Sequence, residues 1–498
     1  MELTFDKKAL EALYLMEKTS NNLFLTGKAG TGKSTLLRQF IAHTQKNIAV
    51  LAPTGVAALN VWGSTIHSFF QIPPVVTEKT LKKEAKSQIG NPKFTELDAI
   101  VIDEISMVRA DLFDHINRYL QIVCKNKKPF GGIQMLLIGD LYQLPPVVRR
   151  DEAEFFRQTY ASPYFFSSNV VTSGKFTFTF LELETVYRQQ DQLFLSFLNA
   201  IRTKNLTTTT FDQLNQQVVR TDDWEIAPWE MYLAGKNDVV DRINLQKLDE
   251  LPGEAQLFLG SLDGVMREHS LPTETELWLK VWAQVMFVVN DPKGRWVNGT
   301  LGVITDMKYK SLTVQIFGGE EVQVTPHIWK VSQYVYDEEK KKLEAEEIGS
   351  FSQIPLRLAW ACTIHKSQGK TFDHVIVDLQ GGAFAHGQAY VALSRCKTLK
   401  WIKLIAPLDE DSVILDSSVA DFILMQKLQT IIALQQEAEI LYRSPQWPLE
   451  RRKITPLFVG EMQYAGQNYL GLKAFCHAEG QELLFSLRRI LEVFSLDF

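Results

Sequence analysis

Residues 27 to 34 read Gly-Lys-Ala-Gly-Thr-Gly-Lys-Ser, a Gly27-x-x-x-x-Gly32-Lys33-Ser34 pattern. Glycines at this spacing let the backbone N–H groups along Gly27, Ala29, Gly30, Thr31, Gly32 and into Thr35 turn inward around phosphate oxygens. The Lys33 ammonium neutralises the terminal phosphates, and the Ser34 hydroxyl suits Mg2+. Such a loop binds a nucleoside triphosphate. Two further segments carry polar groups at the ends of apolar runs. Ile100-Val-Ile-Asp103-Glu104 offers one carboxylate, Asp103, to organise magnesium hydration and a second, Glu104, to take a proton from attacking water. Gly139-Asp140-Leu-Tyr-Gln143-Leu-Pro-Pro146 offers the Gln143 amide to orient water or sense the γ-phosphate, with a proline-stiffened loop as the structural alternative.

These groups need a scaffold that holds loops at one edge. Asn22–Thr26, Ile48–Ala52, Ala99–Ile102 and Met135–Gly139 are short apolar runs alternating with helical patterns, which predicts a parallel α/β sheet with ligands at the strand ends. Thr35-Leu-Leu-Arg-Gln-Phe-Ile41 repeats apolar residues at helical spacing, so the glycine loop opens a helix whose N-terminus favours anions. A second α/β set follows in Met231–Ala234, Val285–Val289, Leu358–Cys362, Val375–Asp378 and Ile402–Ile405. Short β-like pieces between 300 and 355 predict a small barrel or hairpin inserted into the second set. The mixed-charge run Asp337–Glu347 is expected on a surface hairpin or loop.

The chain of 498 residues allows about three domains. A composition of 45% hydrophobic and 22% charged residues is that of a globular protein. No apolar stretch approaches the roughly 20 residues a membrane helix needs, and the start lacks an export signal, so a cytoplasmic protein without membrane contact is expected. Four scattered cysteines, at 124, 362, 396 and 476, fit a reducing compartment and read as buried small hydrophobes. A net charge of −5 means that any nucleic acid must be held by local patches. Lys79, Lys82, Lys83 and Lys86 form one candidate; Lys397, Lys400 and Lys403 a second; Arg451, Arg452 and Lys453 a third.

Further blocks carry a resemblance. Ala52-Pro-Thr-Gly55-Val-Ala-Ala58, Gly63-Ser-Thr-Ile-His67-Ser-Phe-Phe70, Val186-Tyr-Arg188-Gln189 and Asn290-Asp291 with Arg295-Trp-Val-Asn298-Gly-Thr300 come first. Thr363-Ile-His365-Lys-Ser-Gln368-Gly369-Lys-Thr371 and Gln388-Ala-Tyr390-Val-Ala-Leu-Ser394-Arg395 follow. In this order they resemble the Pif-one-like DNA helicases of superfamily 1B, the RecD-like branch, over roughly residues 1 to 410. The resemblance implies two RecA-like lobes, 1–180 with a small excursion at 71–95, and 181–303 with 356–410. It also implies an SH3-like β insertion at 304–355. The implied activity is ATP-dependent 5′-to-3′ movement along single-stranded DNA and unwinding of tailed or structured duplexes. By family position Arg188 and Arg395 supply positive charge to the transferring phosphate, each with an interlobe salt bridge as its alternative role. Gln368 and Gly369 face the nucleotide. The implied DNA track runs over Thr54, Gly55, His67, Ser68, Phe69, Asn298, Thr363, His365 and Lys366; packing is the alternative for the two histidines, and core for Phe69 and Phe70. A nucleotide-dependent DNA-binding switch remains an open alternative.

Three features depart from the family pattern or extend beyond it. Leu3–Lys8 lacks the adenine-reading glutamine, which loosens strict ATP preference. Trp62 and Trp282 stand where the family has glycine, presenting aromatic surface to DNA or filling gaps; gap-filling is the expectation. After a helical connector at 411–444 and a linker marked by Pro445 and Pro448, the tail at 445–498 resembles the latter part of a WYL domain through Arg452–Leu457, Asn468–Leu472, Phe475–His477 and Phe485–Ile490. That implies an additional ligand or nucleic acid there, or a ligand-regulated sensor, with Arg488 and Arg489 the first residues to test.

Overall fold

The computed structural model describes residues 5–73, 78–189, 191–219, 225–264, 271–308, 311–379, 383–443, 449–464 and 467–495. Leu3, Thr4, Pro74, Pro445 and Pro448 lie outside them. The chain divides into two compact units, one of residues 1–177 with 182–414, the other of 178–181 with 415–498.

In the larger unit, β1 (Leu23–Gly27), β2 (Ile48–Ala52), β3 (Ser64–Thr65), β4 (Ala99–Ile102) and β5 (Gln134–Ile138) lie in the order β3-β2-β4-β5-β1. Neighbours in this order pair in parallel. All residues of β1, β4 and β5 are buried, as expected for strands covered on both faces. The glycine loop leaves β1, Asp103 and Glu104 leave β4, and Gly139–Asp140 leave β5. Parallel neighbours end on the same edge, so the sheet delivers all three loops to one crevice.

A second parallel sheet has the order Ala361–Thr363, Glu230–Ala234, His374–Asp378, Ile402–Leu404. The expectation of two parallel α/β sheets holds, but membership differs. The expected run Val285–Val289 falls on strand Gln284–Phe287, and Leu358 of the expected run Leu358–Cys362 ends strand Leu356–Leu358. Both strands instead join an antiparallel sheet with Leu301–Lys308, Ser311–Ile316 and Glu321–Val324, while Ala361 and Cys362 lie in the second parallel sheet as expected. Alternation explains this. Leu312, Val314 and Ile316 point into a core with Val285, Phe287, Ile304 and Trp296, while their neighbours face out. The expected single insertion at 304–355 is therefore divided. The long hairpin His327–Asp337 with Lys342–Gln353 pairs with Ser261–Gly264 in a separate sheet. The charged run at 337–347 lies at its turn, as expected.

In the smaller unit, helix Ser417–Ala433 lies with an antiparallel sheet ordered Gln481–Ser486, Gln467–Cys476, Glu450–Tyr464, Ala438–Tyr442, Ile490–Ser495. Leu428 and Ile431 of the helix share a core with Ile440, Ile454, Leu472 and Phe485. The expected connector at 411–444 is thus not separate, because its apolar helix face and its strand complete the core of the tail. Among the described residues no helix is long and apolar enough to cross a membrane.

Candidate functional site

Helix Lys33–His43 starts at Gly32 with no side-chain cap, so its first N–H groups lack the usual intrahelical or capping acceptor. Gly30 has φ +82°, and a Cβ there would fall 2.5 Å from Cβ of Arg188. Only glycine lets the loop and the arginine segment approach this closely. The Tyr187 N–H donates to the Gly30 carbonyl at 2.9 Å, which fixes the approach.

The loop forms one wall of a cavity of about 1170 Å³. Ala29, Gly30, Thr31, Gly32, Lys33, Ser34 and Thr35 line it, with Glu104 and Gln143 from the first sheet. Arg188, Gly369 and Arg395 line the opposite side. Lys33 folds back, its Nζ donating to the carbonyls of Gly27 at 2.6 Å and Lys28 at 3.1 Å. Desolvation pushes this ammonium below its usual range, against the opposing charges of Asp140 and Glu104.

Burial raises Asp103 to about 6. Burial, with the Asp103 charge second, raises Glu104 to about 7. Glu104 also sits at φ +52°, a left-handed conformation uncommon outside glycine. Gln368 Nε2 donates to Glu104 Oε2 at 3.1 Å and to Gln143 Oε1 at 3.2 Å, so the two amides and the carboxylate form one chain.

Arg188 donates to the Ser394 carbonyl at 3.2 Å. Arg395 is 1% exposed and donates to the carbonyls of Val391, Ser367 and Lys370 and to Ser394 Oγ. Burial, with the Arg188 charge beside it, pulls Arg395 down to about 9. Neither arginine has a salt bridge to a carboxylate among the described residues, so their charge faces the cavity uncompensated by an ion pair.

The donor set fits a triphosphate with Mg2+: a glycine cradle that a Cβ would fill, the Ser34 hydroxyl, and hard carboxylate oxygens at Asp103. Tyr187, 55% exposed and lining the cavity, is a site residue that sequence reading missed. Its signal was adjacency to Arg188.

The residues of the implied DNA track are placed unequally. Thr54 caps helix Gly55–Asn60 through Ala57 N–H, and His67 and Ser68 lie on the short helix Ile66–Phe69. Asn298 Nδ2 donates to Asn60 Oδ1 at 3.2 Å across the two lobes. His365 and Lys366 follow strand Ala361–Thr363; burial lowers His365 from its usual range. Thr363 is buried, its hydroxyl accepting the Lys366 N–H. Phe69 corrects its expectation. It is 1% exposed and packs edge-on against Phe70, Phe94 and Tyr334, so its ring belongs to the core. Trp62 and Trp282 correct the gap-filling expectation, since they are 70% and 56% exposed at φ +51° and +73°. The second and third expected basic patches are mostly paired with carboxylates, and in the first Lys82 is paired. Lys82, Lys397 and Lys403 pair with Glu78, Asp373 and Glu230, and Arg451, Arg452 and Lys453 with Glu439, Glu450 and Glu437.

Residues 4–210 match the PIF1-like helicase family. The chain is 33% identical over 430 residues to the ATP-dependent DNA helicase Pif1 of Bdellovibrio bacteriovorus, covering 84% of this chain and 92% of that protein. Bacteroides sp. Pif1 in complex with ADP-AlF4 superimposes with a TM-score of 0.77 at 34% identity, over 86% of this chain and 98% of that one. Bacteroides Pif1 bound to ssDNA gives 0.59 at 34% identity, over 84% and 96%. With a phosphate loop, paired carboxylates and two cavity-facing arginines assembled on two parallel sheets, and with relatives of this extent, the chain belongs to the PIF1-like helicase family.

Proposed function

We propose that this protein is an ATP-dependent DNA helicase that moves 5′ to 3′ on single-stranded DNA and unwinds tailed or structured duplexes. One observation carries the reading: the phosphate loop, Glu104, Arg188 and Arg395 line a single cavity between the two parallel sheets. The relatives named above support it, one as an ATP-dependent DNA helicase and another as bound to ssDNA.

ATP enters as substrate. The loop N–H groups and Lys33 hold its phosphates, apart from the Ala29 N–H, which donates to the Tyr390 hydroxyl instead of turning to the phosphates as expected, and Lys33 must leave the Gly27 and Lys28 carbonyls to do so. Ser34 and Asp103 would hold Mg2+, which supplies charge neutralisation at the phosphates. Glu104 takes the proton of the attacking water, oriented by Gln143 and Gln368. Arg188 and Arg395 stabilise the charge that develops on the transferring phosphate. Their place on the second lobe makes hydrolysis depend on how the lobes meet, which is how turnover drives stepping. DNA follows Thr54, Gly55, His67, Ser68, Asn298, His365 and Lys366, held by phosphate contacts that tolerate any sequence, while the buried Thr363 supports Lys366 through its hydroxyl.

The lobe boundaries we propose are those read from sequence, 1–180 and 181–303 plus 356–410, less the strands Gln284–Phe287, Leu301–Lys308 and Leu356–Leu358 that form the antiparallel sheet. For the C-terminal unit we propose a WYL-like module that holds a ligand or nucleic acid, on the sequence resemblance of its tail. A cytoplasmic location agrees with four free cysteines. Purified protein should hydrolyse ATP faster with single-stranded DNA and unwind 5′-tailed duplexes, and Lys33→Ala should abolish both activities. Unwinding of 3′-tailed substrates alone overturns the polarity. ATP turnover with a stable complex and no unwound product favours a binding switch instead.

A further inference from the structure

Arg202 lies outside every motif described above, on helix Gln192–Thr203 of the second lobe. Its guanidinium is buried between two carboxylates, 3.2 Å from Asp140 and 3.4 Å from Glu182, and lies 4.2 Å from the centre of the Tyr142 ring. Asp140 and Tyr142 belong to the loop that leaves β5. Within it, Gln143 Nε2 donates to Asp140 Oδ2 at 3.3 Å, and the other oxygen accepts the Tyr142 N–H at 3.2 Å. Gln143 then accepts from Gln368, which also donates to Glu104. The same loop is held twice more by the second lobe. The His386 ring bonds the Leu141 carbonyl at 2.8 Å, and at Gly387 a Cβ would come within 2.3 Å of the Tyr142 carbonyl oxygen.

We propose that Arg202 is a positioning residue for ATP hydrolysis: its charge fixes Asp140, and through Asp140 the Gln143 amide that, with Gln368, holds the Glu104 carboxylate. The proposal rests on the ATPase reading of the site. It adds a residue and a route by which a second-lobe helix acts on the water-activating group.

The charge is what matters in this arrangement. The Asp140 side chain is fully buried, and beside the Arg202 guanidinium it accepts from the neutral N–H groups of Tyr142 and Gln143. Without the guanidinium it is an uncompensated buried charge, which turns away toward other donors. That turn removes the acceptor that orients Gln143 Nε2. Glu182, the second carboxylate, accepts from both terminal guanidinium nitrogens at 3.4 Å, and the chain from Asp140 to Gln143 does not run through it, so Glu182→Gln should disturb hydrolysis less than loss of Arg202.

The test measures steady-state ATP turnover of the full-length protein at saturating oligothymidylate, with melting temperature, for wild type, Arg202→Met, Arg202→Lys, Gln143→Ala and the double variant Arg202→Met/Gln143→Ala. The expected result is a kcat about 30-fold lower in Arg202→Met with the ATP KM within about threefold of wild type. Arg202→Lys should recover part of the loss, and the double variant should be no slower than Gln143→Ala alone, because both act through one amide. Unchanged kcat in Arg202→Met, or losses that multiply in the double variant, overturn the proposal. Should Arg202→Met fail to fold, Arg202→Lys carries the test, with lower kcat and wild-type KM expected and a wild-type kcat counting against it. Wild type without ATP turnover overturns the helicase reading and this proposal with it, whereas an active wild type beside an equally active Arg202→Met overturns this proposal alone.

Discussion

The Tyr390 hydroxyl accepts the backbone N–H of Ala29 at 2.8 Å, so a buried phenol of the second lobe holds the phosphate loop of the first. Both residues are buried, Tyr390 at 3% and Ala29 at 6% exposed, and burial raises the phenol well above its usual range. The hydroxyl therefore stays neutral at all working pH values. Tyr390→Phe removes the acceptor and keeps the ring, which leaves a buried N–H unpaired at a cost of about 1–3 kcal/mol. We expect a lower melting temperature without nucleotide and a higher ATP KM, read by thermal melting and steady-state turnover. Equal KM and melting temperature would show that the contact is incidental.

The two arginines should separate by experiment. Among the described residues Arg188 donates to the Ser394 carbonyl, whereas Arg395 donates to three carbonyls and a hydroxyl, all of its own lobe, from a side chain with almost no exposure. Arg188→Ala should lower kcat by about 10³-fold with an unchanged melting temperature, as for removal of an arginine that acts only on the transition state. Arg395→Ala should lower both, because three carbonyls each lose a donor in a buried site. Melting curves beside turnover rates check the contrast, and equal melting losses in the two variants would contradict it.

What the sequence disclosed and what it hid divide along physical lines. The phosphate loop, β1, β4 and β5 were legible because apolar runs buried on both faces have few alternatives, and glycines at fixed spacing have a specific use. The second lobe was harder. Val285–Val289 looks like any buried strand, and only the partners it finds, Leu301–Lys308 and Leu356–Leu358, make it antiparallel. Phe69 shows the limit at the site. Its neighbours in sequence point to DNA, but Phe94, Tyr334 and Lys93, which enclose its ring, come from distant parts of the chain. Arg202 was invisible for the same reason, since an arginine on an amphipathic helix reads as a solvated face until Asp140 and Glu182 are brought to it.

Trp62 presents a backbone prediction. It holds φ +51° while 70% exposed, so burial contributes little to offset the strain. A left-handed conformation costs an L residue roughly 1–2 kcal/mol, which glycine avoids. Trp62→Gly should therefore be more stable than Trp62→Ala by about 1 kcal/mol, since alanine keeps the strain and loses the same ring. Urea midpoints of the two variants check this, and an alanine variant as stable as the glycine variant would remove the strain argument.

Lys93 sets a pH-dependent prediction. Its amine donates to the Phe69 carbonyl at 2.8 Å and lies 4.3 Å from the Phe69 ring centre and 5.2 Å from that of Phe94. The residue is 6% exposed, and burial lowers the ammonium to about 8. The unfolded chain keeps the ordinary value near roughly 10.4, so between these values it binds more protons than the folded chain, and stability rises with pH. Below about pH 8 both states are protonated and the full cost of burying the charge is present. Across the window the relief is at most about 3 kcal/mol, at about 1.36 kcal/mol for each pH unit between the two values. Lys93→Met removes this titration. From roughly pH 7.5 to 10.5 wild type should gain stability relative to Lys93→Met, measured as the difference in unfolding free energy by urea titration at each pH. Lys370, which burial also lowers to about 8, is common to both proteins and cancels in that difference. A flat or falling difference would show that the Lys93 ammonium is solvated in the folded protein.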